Sequence, residues 1–186
     1  MKRILAILLV LGLVASSAFA TVLQVGATGR FGGDITSLDS YKEVSNYDFG
    51  ADARLNLGAF GLAANVLFGK NGENRVYNTI LTANVRLDLQ VVDFALGAGY
   101  SLPVEVSTSG DVLIDNQPIE KTLDVLKNSQ LLARAAVGVN IGGLGLSADY
   151  KIPFSTIIDY LKGNDMKNLE SFKQGKVALS VLVNIF

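Results

Sequence analysis

Asp48 and Asp52 stand four residues apart in a segment whose residue types alternate, which places both carboxylates on one face. With Asp93 they have the composition of an acid/base pair or a hard-cation seat. Three features count against that chemistry. The chain has no histidine, the side chain most often used as a base or as the partner of a nucleophile. It has no cysteine, which excludes thiolate metal sites, thiol nucleophiles and disulfides. Arg54, Arg86 and Arg134 share the alternating parity of the carboxylates and offer them ion pairs, so a structural network is the favoured reading. Asp111, Asp115 and Asn116 group like calcium ligands, but their spacing misses the EF-hand pattern, and a solvated loop is favoured. The glycines of Gly26-Ala27-Thr28-Gly29 and Gly97-Ala98-Gly99 fall inside alternating segments, where they serve packing and not phosphate binding. No catalytic residue, metal ligand or cofactor is assigned, and an enzyme is not expected.

The elements that position these charges begin after an export signal. Lys2 and Arg3 precede an apolar stretch from Ile4 to Val14, and Ala18-Phe19-Ala20 supplies a small-x-small cleavage pattern. Residues 1–20 are therefore expected to be a cleaved signal peptide. One domain of 166 residues (186 minus 20) then begins at Thr21 and spans 21–186. A formal net charge of −1 implies no polyanionic partner, so nucleic acid is not expected. Beyond the signal no apolar run reaches the eighteen residues of a membrane helix. Yet 49% of the residues are hydrophobic, and the mean hydropathy is +0.37. Where that apolarity lies decides the fold.

Read with a period of two, the remaining chain breaks into eight segments: 23–31, 47–57, 60–68, 77–87, 92–102, 131–141, 144–152 and 177–185. Each has the length that a tilted membrane strand needs, about 9–11 residues. One face of every segment is apolar and free of charge. A soluble sandwich or a lipocalin-like barrel would turn the same face inward, so alternation alone does not choose.

Residue size, aromatic placement and loop length favour a barrel with its apolar face outward. The opposite face is rich in Gly, Ala, Ser and Asn. It also carries near-balanced charge, with Arg30, Arg54, Arg86, Arg134, Lys151 and Lys176 against Asp48, Asp52, Asp88, Asp93 and Asp149. Small residues beside paired charges suit a narrow interior shared by several strands. On the apolar face, Phe31, Phe68, Tyr100 and Tyr150 lie late in odd-numbered segments, whereas Tyr47, Phe49 and Tyr77 begin even-numbered ones. An up-and-down meander brings all seven to one end, with Phe60 and Phe94 at the other, near the terminal Phe186. The result is two aromatic girdles around an aliphatic band. Connections are about fifteen, two, eight, four, twenty-eight, two and twenty-four residues long, the alternation of outer loops and periplasmic turns. The expected fold is all-β: an eight-stranded antiparallel up-and-down transmembrane β-barrel with both termini periplasmic.

On these segments, girdles and loops the chain resembles the small outer-membrane barrels of the OmpA transmembrane, OmpX and OmpW type. The resemblance implies an integral protein of the bacterial outer membrane, in contact with its lipid, acting in envelope structure, adhesion or as a narrow porin-like channel. It also implies that Phe186 is a signal to the outer-membrane assembly machinery, although Phe186 shares its parity with Asn184 and Ser180 and not with the apolar set. Barrel enzymes of this kind rely on a histidine, which is absent. Ile119, Leu123 and Leu126 in one long loop, and Phe154, Ile157, Ile158 and Leu161 in another, have helical spacing, with Ser155 placed as a cap and Met166, Leu169 and Phe172 extending the second set. These apolar loop faces could pack on one another or receive a surface or apolar ligand. The leading functional expectation is a non-enzymatic barrel with a largely filled polar interior, serving envelope structure or surface interaction. The alternative is a narrow channel, or a path for apolar solutes past the inward residues Leu67, Ile80 and Leu132.

Overall fold

The computed structural model describes residues 21–71, 74–114, 117–118, 129–162, 173 and 175–185. The expected signal segment, Asp115, Asn116, the loop residues Ile119, Leu123 and Leu126, the run from Met166 to Phe172, and the terminal Phe186 lie outside them. Eight strands form the staves of the barrel: β1 (Thr21–Phe31), β2 (Tyr47–Leu57), β3 (Phe60–Asn71), β4 (Asn74–Leu89), β5 (Val92–Val106), β8 (Gln130–Ile141), β9 (Leu144–Pro153) and β10 (Lys176–Asn184). Each pairs antiparallel with its neighbour in sequence, and β1 pairs with β10, so the sheet closes and every stave is paired on both sides. This is the up-and-down eight-stranded barrel that the period-two pattern predicts. Two short strands, β6 (Val112–Ile114) and β7 (Gln117–Pro118), hang on the end of β5 as an added hairpin. Among the described residues one α-helix, α1 (Phe154–Lys162), follows β9 directly and packs against β8 and β9.

Three two-residue turns mark one end. Gly58 and Gly142 take positive φ, 59° and 56°, as such turns demand. The third turn, Gln90-Val91, has no glycine. Gln90 adopts φ 71° and its N–H donates to the Asp88 carboxylate at 2.9 Å. The expected four-residue connection here is thus shorter. A larger difference lies at the opposite end, where β3 runs to Asn71 and β4 starts at Asn74. The pairing continues through Lys70↔Arg75 and Asn71↔Asn74 in place of the expected eight-residue loop. The other three connections at this end are long.

The barrel's interior is narrow enough to require glycine opposite leucine. Three inward leucines each face an inward glycine across a strand pair: Gly26↔Leu182, Gly50↔Leu67 and Gly99↔Leu132. A Cβ added at Gly50 would lie 1.8 Å from the Val66 carbonyl oxygen, so the two strands would have to part. Gly50→Ala is therefore expected to cost about 1–3 kcal/mol as overpacking, read as a lower urea midpoint of the refolded protein. Gly29→Ala is the control, because its added carbon meets only the Phe49 ring at 3.4 Å. Equal effects of the two variants would contradict the tight interior.

Candidate functional site

The inward parity of β2, β4, β8, β9 and β10 builds one polar belt across the lumen. Arg54 on β2 bonds Asp52 through Nη2 at 2.6 Å, and reaches across to Asp149 at 2.8 Å and to the Ser147 hydroxyl at 2.8 Å. Arg134 on β8 donates from Nε to the other oxygen of Asp149 at 2.8 Å and from Nη1 to Asn84 at 2.9 Å. Lys151 stands 4.0 Å from the same carboxylate. Ser180 donates to Asp52 at 2.7 Å and lies 3.0 Å from the Thr28 hydroxyl. Asp52 is 0% exposed and Asp149 2%, so neither carboxylate meets solvent. Ionised groups persist at such depth only when paired and hydrogen-bonded. Asp149, with three cations around two oxygens, is the hub.

Two further layers lie above and below the belt. Toward the turns, Gln24 donates to Asn184 at 2.8 Å and Asn140 at 3.1 Å and accepts from Asn56 at 3.0 Å. Asn140 continues to Asp93 at 2.8 Å, and Asp93 pairs with Arg86 at 3.6 Å. Toward the loops, Leu67, Ile80 and Leu132 form a buried apolar cluster. Beyond it Arg30 Nε donates to Asp48 at 2.8 Å, and Ser101 donates to Asn78 at 2.8 Å. Among Arg54, Asn84, Arg86, Asp93 and Arg134 the free space is about 10 Å³, the room of one water. The Nδ2 of buried Asn65 has no hydrogen-bond partner.

No family model matches this chain, and no curated protein matches it. Among solved structures it is similar to the crystal structure of Neisserial surface protein A, with 16% identity over 88% of this chain and 95% of that one and a TM-score of 0.41. A likeness that distant assigns neither family nor activity.

Asp48 and Asp52, whose spacing admits an acid/base pair but whose arginine neighbours favour ion pairs, are committed to different partners, Asp48 to Arg30 and Asp52 to Arg54 and Ser180. Arg54, Asp52, Arg134, Asp149 and Lys151 meet in the belt, whereas Arg86 with Asp93, and Arg30 with Asp48, form separate pairs nearer the ends. Asp88 joins none of these, while Lys176 makes no ion pair among the described residues but lies near enough to Arg30 and Asp48 to feel both charges. Asp88 is exposed and caps its turn, and Lys176 is exposed at the first position of β10. The sequence pattern puts the uncharged half of the lining on the same inward face but does not join it to the charge network. Gln24, Asn56, Asn84, Asn140, Ser147 and Ser180 all share the parity of the charges, and that parity is the signal that finds them.

On the outward parity the aromatic residues depart from a simple ring in two places. Phe31 is buried because the first loop folds over it, with Tyr41 stacked on its ring at 4.5 Å and Tyr47 tilted against it at 5.3 Å. Tyr100 pairs with Leu81, while Tyr77 pairs with Val104, so Tyr100 lies four residues below the loop-end rim. Phe68 and Tyr77 meet edge to face at 5.5 Å, and Tyr47 and Phe49 stack at 6.4 Å. Tyr150 is half-buried on β9, and Phe60 and Phe94 stand exposed near the turns. In α1 the helical spacing of Phe154, Ile157, Ile158 and Leu161 holds, but Ser155 falls inside the helix and not at its cap. Leu161, at 75% exposure, is left bare.

Proposed function

We propose that this chain is an integral outer-membrane barrel with a plugged interior, periplasmic termini and no catalytic role, acting in envelope structure or surface interaction through its loop end. The observation that carries the reading is an inversion of polarity. Fully buried Asp52 and Asp149 line the inside, while Phe49, Leu96 and Leu179 stand 62%, 67% and 64% exposed on the outside. In water that outer belt would be one large apolar patch, far beyond what a monomeric soluble protein exposes. In hydrocarbon it is the favourable surface, and the closed sheet leaves no unpaired backbone edge facing lipid. Insertion by the assembly machinery, with Phe186 as its signal, belongs to the same proposal, as does kinship with the OmpA, OmpX and OmpW barrels.

The channel reading asks for a continuous lumen. The belt, the apolar cluster and the room for only about one water among Arg54, Asn84, Arg86, Asp93 and Arg134 speak against it. The test is to refold the protein in detergent, confirm folding by a band that shifts on boiling, and record current across a planar bilayer. Folded protein with no reproducible conductance step is the expected result. A clear open state would overturn the plug, and a chain that folds only without detergent would overturn the membrane assignment.

A further inference from the structure

The extension of β3 and β4 beyond the expected strand ends places two cations on the outer wall. Outward parity on β3 runs Phe60, Leu62, Ala64, Val66, Phe68 and reaches Lys70; on β4 it runs down from Arg75 through Tyr77, Thr79 and Leu81. Among the described residues of the eight staves, Lys70 and Arg75 are the only charged ones on that parity. They are directly opposite in register, both are exposed, and neither has an ion-pair partner among the described residues. Carboxylates at this end are engaged elsewhere: Asp48 by Arg30, Glu105 by Asn74 and Asp111 by Ser109. Like charges facing each other across a strand pair repel, so an anion shared between them would relieve that repulsion.

Just below the cations lies the Phe68–Tyr77 ring pair, which sets the interface level if the barrel spans a membrane. Further down, the wall opens into a groove of about 600 Å³ floored by Ala53, Ala64, Ala83 and Ala98 and walled by Leu81 and Tyr100. From Lys70 to Ala64 is six residues, about 20 Å along the strand. At a tilt of ~35–45° this is about 15 Å of depth, half of the hydrocarbon thickness. We infer that the Lys70–Arg75 pair and the groove beneath it form a binding site for one anionic membrane lipid, its phosphate on the two cations and an acyl chain along the alanine floor. The inference rests on the membrane reading above and adds to it a ligand and a place.

The test is native mass spectrometry of the refolded barrel released from micelles doped with phosphatidylglycerol or phosphatidylcholine. Boiling-dependent gel mobility confirms that each variant is folded. Expected is one retained phosphatidylglycerol, preferred over phosphatidylcholine and not displaced by inorganic phosphate. K70Q/R75Q, altered only at exposed positions, should lower retention about thirtyfold, from roughly a factor of five per basic residue near a headgroup. A64L/A83L, which fills the groove, should also lower it. Retention unchanged in the charge variant overturns the site. Displacement by inorganic phosphate with A64L/A83L unaffected reduces it to an anion contact and overturns the lipid. A lipid-free dimer lost in A64L/A83L assigns the groove to a second copy. Failure to refold in any detergent removes the membrane reading itself and this inference with it.

Discussion

Asp149→Asn is expected to destabilise the refolded barrel by about 3–5 kcal/mol, the cost of leaving buried charges without their counter-ion. The carboxylate serves Arg54 at 2.8 Å through one oxygen and Arg134 at 2.8 Å through the other, with Lys151 at 4.0 Å. Asparagine keeps one acceptor and turns an N–H₂ toward guanidinium groups that cannot accept. Three cations would then share Asp52 alone, in a region where solvent does not screen them. The measurement is urea unfolding in micelles, and the midpoint should fall with the slope unchanged. Asp39→Asn is the control, because its pair with Lys42 at 2.8 Å is exposed and such pairs contribute little.

The same variant also separates a plug from a pore. In a dry interior the loss should persist at high salt, since buried pairs are poorly screened. Adding Lys151→Met to Asp149→Asn should recover part of it, because one unpaired cation is then removed, and a double-mutant cycle measures how much. If Asp149→Asn is no worse than the exposed control, water and ions reach the belt, and the filled interior is wrong.

How far such a site can be read in advance differs between its parts. Parity was legible because each stave has one wet or packed face and one apolar face, and a one-residue error would exchange every side chain between them. That logic placed Arg54, Arg134 and Asp149 on the inside from residue type alone. It could not pair them. Asp149 meets Arg54 across 95 positions of sequence, and which residues share a level depends on the stagger with which the sheet closes. Strand ends were the least legible. Lys70, Asn71, Asn74 and Arg75 have the composition of a loop, yet they continue the ladder. Above the aromatic rim nothing requires an outward residue to be apolar, so the alternation fades while the hydrogen bonding does not. The Gln90 turn escaped for a related reason: a side-chain acceptor at Asp88 supports a positive φ that is usually read from glycine.

Val181→Arg, in the middle of β10, should cost about 2–4 kcal/mol in lipid vesicles, whereas Ile185→Arg near the turn end should cost about 0–1 kcal/mol. Both residues are outward and similarly exposed, at 50% and 55%, so local packing does not distinguish them. What differs is depth. Val181 pairs with Ala27 on one side and Leu146 on the other, well inside both rims, while Ile185 has left the ladder after Asn184 and bonds the Leu23 carbonyl at 2.8 Å. In water an arginine at either exposed site would change stability by no more than about 0.5 kcal/mol, and a soluble sandwich or barrel would show no gradient between them. A depth-dependent penalty therefore tests the membrane assignment independently of the interior: Asp149→Asn reports on what fills the lumen, and Val181→Arg on what surrounds the wall. Flat, small effects at both positions would place the outer belt in water or against protein. The polarity inversion that carries the proposed function would then need another explanation.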